Sequence, residues 1–496
     1  SERYWQAAWR EASTSVKITE EQKCFIQNGL GAMYALRAKR TTNASDKQEF
    51  LKQSEGCIET ALQYITREKS REHWAVIMQN LAVILGMQSQ IPGISAERRT
   101  DLLTEAIKHG RDALKETSRA EMPDGWAAGQ HNLGINLSRL ASVTAEEGRT
   151  RVLKEAIGCF TNALEIRKIN SDPFGYAASK LELANAYKEL VRGADRNEES
   201  DLWHTNSIDC YRSALRVFTL ETTRTLWTSA KSGLGAALAM GASVSKGEAR
   251  ASLLDEAIAC HQVALTNYNE PSEWASGQNN LALAFFLKAR EADPKERAQL
   301  LVDAVQGYEM ALKVLPESAS SQNRAKMHYN LAEALLHRAH SPGTNNPAQL
   351  LDEAIGAFQE ALKTYRPETD PREWRECKWS LAKAQFLRAN MNTAVRREAV
   401  ILLTSAAEGF RAVMNKLEHP EDRAACQKDL AYALGDLAIA GSMGDRAGLL
   451  KEGIGLMELA LEFFTADSKP EVHAQGIRWI AEWETERKRL EAARKP

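Results

Sequence analysis

Proline is scarce, 13 in 496 residues, and no proline-, glycine- or serine-rich tract divides the chain. Composition therefore offers no sign of a linker between separate domains. No run of about 18 apolar residues occurs, so no membrane-spanning helix is expected. The first residues, SERYWQAAWREAS, mix charges with aromatics and do not resemble a signal peptide. The seven cysteines, an odd number scattered from Cys24 to Cys426, fit a reducing cytosol better than a disulfide framework. A cytoplasmic protein is expected. An excess of either charge is also missing. Lysine plus arginine total 64 against 66 acidic residues, a net charge of −2. That balance argues against nucleic acid as a partner, because such binding needs clustered cations.

The sequence motifs of catalysis are missing too. There is no G-x4-G-K-(S/T) run, no G-x-G-x-x-G after a strand, no G-x-S-x-G elbow and no H-E-x-x-H helix. His337 and His340 have a spacing that can place two imidazoles on a metal, but no cysteine or carboxylate stands at ligand spacing beside them. Surface histidines are the simpler reading. Cys57, Cys159, Cys210 and Cys260 recur at one repeat position. Equivalent atoms of neighbouring repeats lie about 8–10 Å apart, too far for disulfides, so these are read as buried packing residues. No cofactor, no metal and no enzymatic activity are expected.

What the chain has is a repeat. A phrase of the form W-A-x4-N-L-(A/G) reads WAVIMQNLA from Trp74, WAAGQHNLG from Trp126 and WASGQNNLA from Trp274, with weaker copies from Tyr176, Trp227, Arg324 and Trp374. Its leucine or isoleucine falls at Leu30, Leu81, Leu133, Leu183, Leu234, Leu281, Leu331, Leu381, Leu430 and Ile480, every step lying between 47 and 52 residues. A second phrase, LL-x-(D/E)-A-(I/V)-x5-A-L, begins at Leu102, Leu253, Leu300 and Leu350, between copies of the first. Both place apolar residues at i, i+3, i+4 and i+7, the period of an amphipathic helix. Asp370-Pro371, Asp293-Pro294 and Asn346-Pro347 look like capped helix starts. No segment alternates with period two, and the fold is expected to be all-α.

Leu133-Gly134 followed by Ala156, Phe160 and Ala163 resembles the tetratricopeptide repeat (TPR) family: leucine, small residue, then alanine, bulky residue, alanine. Small residues recur at the first-helix place, as at Gly31, Ala82, Gly134 and Ala184. Two antiparallel helices approach closely only where such side chains face each other. The departure is length, since a standard repeat has about 34 residues. The added residues, as in 86–100, 141–150 and 339–349, lengthen the helices and their turns. The expected fold is a right-handed α-solenoid of antiparallel helix pairs, a TPR-like superhelix. It would comprise an N-terminal capping helix over 1–20, nine helix pairs in one solenoid over 21–469, and a C-terminal capping helix over 470–496. Tyr4, Trp5 and Trp9 would close the first pair. The row Trp74, Trp126, Trp227, Trp274 and Trp374 would fill gaps between successive pairs.

The resemblance implies that the first helix of each pair lines a concave groove where ligands lie. The residue before the motif leucine faces that groove; it is Asn80, Asn132, Asn280 and Asn330, interrupted by Glu182, Gly233, Ser380 and Asp429. A row of amides can bind a peptide backbone whatever its side chains. Equally, each amide could tie its own helix to the adjacent pair. One position earlier stand Tyr329 and Trp379, then Lys428 and Arg478, with Phe286, Phe386 and Lys383 one turn on. An aromatic patch that becomes basic suits a partner with a hydrophobic anchor and nearby acids, while Phe286 and Phe386 also read as core. The TPR clamp for a terminal carboxylate needs an asparagine one turn after its lysine, and Tyr432 stands there after Lys428. Two functions remain: a scaffold binding a protein or peptide in the groove, or a sensor arm of an effector enzyme. The second follows from similarity to long repeats beside caspase-like (CHAT) peptidases and signalling NTPases.

Overall fold

The computed structural model describes residues 6–9, 12, 18–41, 43–193, 197–317, 319–391, 396–441 and 445–493. Among them there is no β-strand. The chain divides into two compact units, Ser1–Gly241 and Ala242–Pro496. In the first, α1 (Glu20–Arg40) packs on α2 (Ala44–Tyr64), α3 (Arg71–Gln88) on α4 (Ala96–Glu116), α5 (Pro123–Ala141) on α6 (Glu146–Ile166), and α7 (Pro173–Gly193) on α8 (Glu198–Leu215). The next helix, α9 (Leu220–Val244), contains the boundary and has non-helical backbone at Thr223 (φ −139°, ψ 44°).

The second unit begins with α10 (Gly247–Leu265). There α11 (Pro271–Ala289) packs on α12 (Pro294–Val314), α13 (Ser321–Ala339) on α14 (Pro347–Leu362), α15 (Pro371–Ala389) on α16 (Arg396–Met414), and α17 (Pro420–Ala440) on α18 (Arg446–Phe463). The last helix, α19 (Pro470–Ala492), closes on α18. Each unit is thus an all-α solenoid of helix pairs.

The small residues of the motif have a steric cause. Phe160 is fully buried, and a Cβ added at Gly134 would lie 2.7 Å from its ring. A Cβ at Gly233 would lie 2.4 Å from the Tyr211 ring, and one at Gly435 2.4 Å from the buried Trp483 of α19. Ring and helix backbone therefore meet directly, and burying each such ring contributes about 1.5–3 kcal/mol. Of the aromatics expected to close the first pair, Tyr4 and Trp5 lie outside the described residues. Trp9 meets Tyr64 edge-on at 6.4 Å.

Curvature follows from which helices touch. First helices of successive pairs meet each other, α1 with α3, α3 with α5 and α5 with α7, and again α11 with α13, α13 with α15 and α15 with α17. Second helices have no comparable contact among the described residues, so first helices form the inner side of each unit. Long side chains bridge the wider outer gaps: Arg111 to Glu155, Lys154 to Glu199 at 2.8 Å, and Arg411 to Glu452 at 2.8 Å. Exposed pairs of this kind add little individually.

Two expected caps fail. Asp293 accepts from the backbone N–H groups of Lys295 and Glu296, as an N-cap should. Asp370 makes no side-chain cap bond. Its carboxylate is taken by Gln322 Nε2 at 2.8 Å and Thr369 Oγ1 at 2.6 Å. Asn346 is left-handed (φ 55°) in place of the extended backbone usual at an N-cap, and it makes no side-chain cap bond.

Candidate functional site

The inner row is built by a simple register. In the first unit Asn80 Nδ2 donates to Asn28 Oδ1 at 2.7 Å, 52 residues away. In the second, Asn330 Nδ2 donates to Asn279 Oδ1 at 3.0 Å, 51 residues away. Trp379 Nε1 donates to Asp429 Oδ2 at 3.2 Å, 50 residues away. In each case the residue just before the motif leucine meets the residue two before it in the preceding repeat. The Ser380 hydroxyl stands by the Tyr329 phenol in the same relation. Neighbouring first helices are thereby tied together, and each amide spends one donor on the tie while keeping its second N–H and most of its carbonyl.

The candidate residues are not brought to one point. The Asn132 side chain makes no hydrogen bond among the described residues and borders a cavity in the first unit. Asn280 accepts a long bond of 3.4 Å from its neighbour Asn279. Arg478 is exposed on α19. Three others do gather in the second unit. The Lys383 ammonium stands 4.4 Å from the Trp379 ring centroid and 3.8 Å from Asp429. Lys428 lies 3.6 Å from the other oxygen of Asp429, and its ammonium is 6.0 Å from the Tyr432 ring. Two lysines thus share one carboxylate around a half-buried tryptophan, leaving a net positive charge beside an aromatic face.

Tyr329 is tilted on Phe358 with centroids 6.0 Å apart, and burial pushes its hydroxyl well above the ordinary range. Close by, Glu333 has one carboxylate oxygen, Oε1, buried without a hydrogen-bond partner, and so has the Tyr308 hydroxyl. Burial pushes the Glu333 carboxyl up, against a hydrogen bond from Ser380 and the charge of Lys383. Phe286 packs edge-on against His337 at 5.1 Å and joins the core, as does Phe386.

His340 Nδ1 lies 2.8 Å from the carbonyl of Leu336, consistent with an N–H···O bond within the helix turn. Among the described residues no group of three or more histidine, cysteine, aspartate or glutamate side chains could hold a metal ion. None of the seven cysteines forms a disulfide. Burial raises the thiols of Cys57, Cys159 and Cys210, which disfavours the reactive thiolate. The tryptophan row packs at the starts of first helices, covered by cations from neighbouring turns: Arg119 from the preceding turn over Trp126 at 5.0 Å, and Lys416 from the turn after the paired second helix over Trp374 at 4.3 Å.

Sequence reasoning missed Asn28 and Asn279 as the acceptors and Asp429 as the anchor of the lysine pair. The signal was there, since each stands at a fixed offset from a motif leucine. It becomes readable only when residues one and two before that leucine are compared between adjacent repeats.

The architecture is an all-α array of antiparallel helix pairs. No protein-family model matches the chain, and no curated protein does. Three solved structures are similar to it only at low identity and with TM-scores below 0.5. The nuclear import adaptor Nro1 of S. pombe is 14% identical, with 60% of this chain and 97% of that one covered and a TM-score of 0.37. A Rap protein in complex with competence and sporulation factor is 12% identical, covering 95% and 98%, with a TM-score of 0.43. A signal transduction ATPase with a tetratricopeptide repeat sensor from Pyrococcus horikoshii is 12% identical, covering 94% and 69%, with a TM-score of 0.38. Among the described residues no helix is long and apolar enough to cross a membrane.

Proposed function

We propose that this tetratricopeptide-like array is a scaffold without catalytic chemistry of its own, binding a protein or peptide segment along the inner side of its first helices. One observation carries the reading. Polar and aromatic side chains recur at one level on the inner helices, half-buried, the amides with hydrogen-bonding capacity to spare and Trp379 with its one N–H committed to Asp429. The corresponding second-helix places are apolar and buried. In the second unit the residues that would engage a partner are Asn280, Asn330, Tyr329, Trp379, Lys383 and Lys428, with Arg478 on the last helix. In the first unit they are Asn80 and Asn132.

The Trp379 ring supplies an apolar contact and the two lysines flanking Asp429 supply excess positive charge, so the matching segment carries a hydrophobic anchor next to acidic residues. The test is selection from a random peptide display library on the full chain. The expected result is enrichment of peptides with an apolar residue flanked by Asp or Glu. The best of them should lose affinity about tenfold or more on Lys383→Gln/Lys428→Gln with the melting temperature unchanged. Failure of any peptide to enrich, or binding indifferent to that variant, would overturn the assignment.

A further inference from the structure

A cavity of about 380 Å³ opens on the inner side of the first unit, where α1 and α2 face α3 and α5. Three cations line it: Lys39 from the last turn of α1, Lys47 from the first turn of α2, and Arg139 from α5. No carboxylate lines it. None of the three cations makes an ion pair among the described residues. Glu182 on α7, outside the lining, acts on Arg139 through its charge; burial raises its carboxyl, opposed by a hydrogen bond from Asn185 and by the charges of Arg139, Lys188 and Lys39. Val83 and Met87 from α3 and Ile135 from α5 give the cavity an apolar lining, with the Asn132 amide beside them.

Arg139 is held in place by a built arrangement. Its Nη1 donates to Asn136 Oδ1 at 3.4 Å, and Asn136, itself buried, donates through Nδ2 to the carbonyl of Ala82 at 3.1 Å. This pair rests on Gly86 of α3. A Cβ there would stand 2.1 Å from Asn136 Oδ1 and 2.9 Å from Arg139 Nη1. Residue 86 therefore has no room for a side chain while the arginine keeps this pose. A guanidinium largely withdrawn from water, with no carboxylate in ion-pair contact and only the charge of Glu182 acting on it, is costly, and an anion entering the cavity would offset that cost. Its fork of N–H donors suits the paired oxygens of a carboxylate or phosphate.

We propose that this pocket binds a small ligand bearing a carboxylate or a phosphate on an apolar body. Arg139 takes the anion, Lys39 and Lys47 add attraction from the opposite side, and Val83, Met87 and Ile135 receive the apolar part. The size falls in the range of small-molecule sites. The proposal goes beyond the scaffold reading and stands on residues of the first unit alone.

Isothermal titration of the full chain with phenyl phosphate and with 3-phenylpropionate tests it, the two probes presenting either anion on the same ring. At least one should bind saturably with a dissociation constant below about 1 mM, and the tighter one names the anion. Binding should weaken with salt, and the neutral benzyl alcohol should not bind. Lys39→Gln/Lys47→Gln should weaken binding about tenfold at an unchanged melting temperature, since both lysines sit at the surface end of the cavity. Arg139→Gln should abolish it, and Gly86→Ala should mimic that loss. Lys383→Gln/Lys428→Gln in the second unit should leave it intact. No saturable binding of either probe up to about 10 mM, or unchanged affinity in the double lysine variant, would overturn the proposal. That result would leave the peptide reading untouched.

Discussion

His131 on α5 shows how burial sets the behaviour of a single residue. Burial, with the nearby charge of Arg167, holds its imidazole down to about 4 from an ordinary 6.5. The native ring is therefore neutral, and Ser179 Oγ lies 3.2 Å from Nδ1. Protonation favours the unfolded chain, so this contribution to stability is complete above pH 6.5. It declines as the pH falls and is lost by about 4. His131→Gln is expected to make the melting temperature less sensitive to acid across that window; an unchanged slope would refute the assignment. The glycines are equally specific. Gly134→Ala drives a methyl into the immobile Phe160 ring and should cost about 1–3 kcal/mol. Gly158→Ala on α6, where a Cβ meets nothing within 4 Å, should be stabilising by about 0.5–1 kcal/mol. Urea midpoints of the two variants moving in the same direction would contradict this account.

Among the elements, α12 and α15 both begin with Asp-Pro, yet only one aspartate caps. Asp293→Ala should lower stability by about 1 kcal/mol because two backbone N–H groups lose their acceptor. Asp370→Ala should cost less, since its carboxylate binds Gln322 and Thr369 in place of the helix start. Denaturant midpoints of the two variants measure the difference. The sequence of each segment made its helix legible, because the i, i+3, i+4, i+7 period and the paired small residues carry that information locally. Cap geometry was not legible at Asp370 or Asn346, where the preceding turn decides which way the side chain points. The contrast among the inner residues is similar. Asn80 and Asn330 were recognisable as inner residues from their place before the motif leucine. Their acceptors, Asn28 and Asn279, belong to the preceding repeat, so a single phrase could not reveal them.

At the scale of the whole molecule, the repeat period carried the all-α solenoid of helix pairs, while curvature carried what the period could not. Lys39 and Arg139 are far apart in the chain and become neighbours of one cavity only because first helices close up on the inner side of the first unit. No motif marks such a pocket. Trp379, Lys383 and Lys428 lie in adjacent repeats, so their grouping was readable from register alone, whereas the carboxylate of Asp429 between them was not foreseen as their anchor. The same geometry separates an inner surface knit by side-chain hydrogen bonds from an outer surface of exposed ion pairs, and the two should differ in function. Affinity capture from the native cell, with mass spectrometry, tests this most directly when the wild-type chain is compared with two variants of equal melting temperature. Lys383→Gln/Lys428→Gln alters the inner side, and Arg411→Gln alters the outer side at the pair with Glu452. The account predicts a partner retained by the wild type and by Arg411→Gln but lost from the inner variant. Equal capture by all three would contradict it.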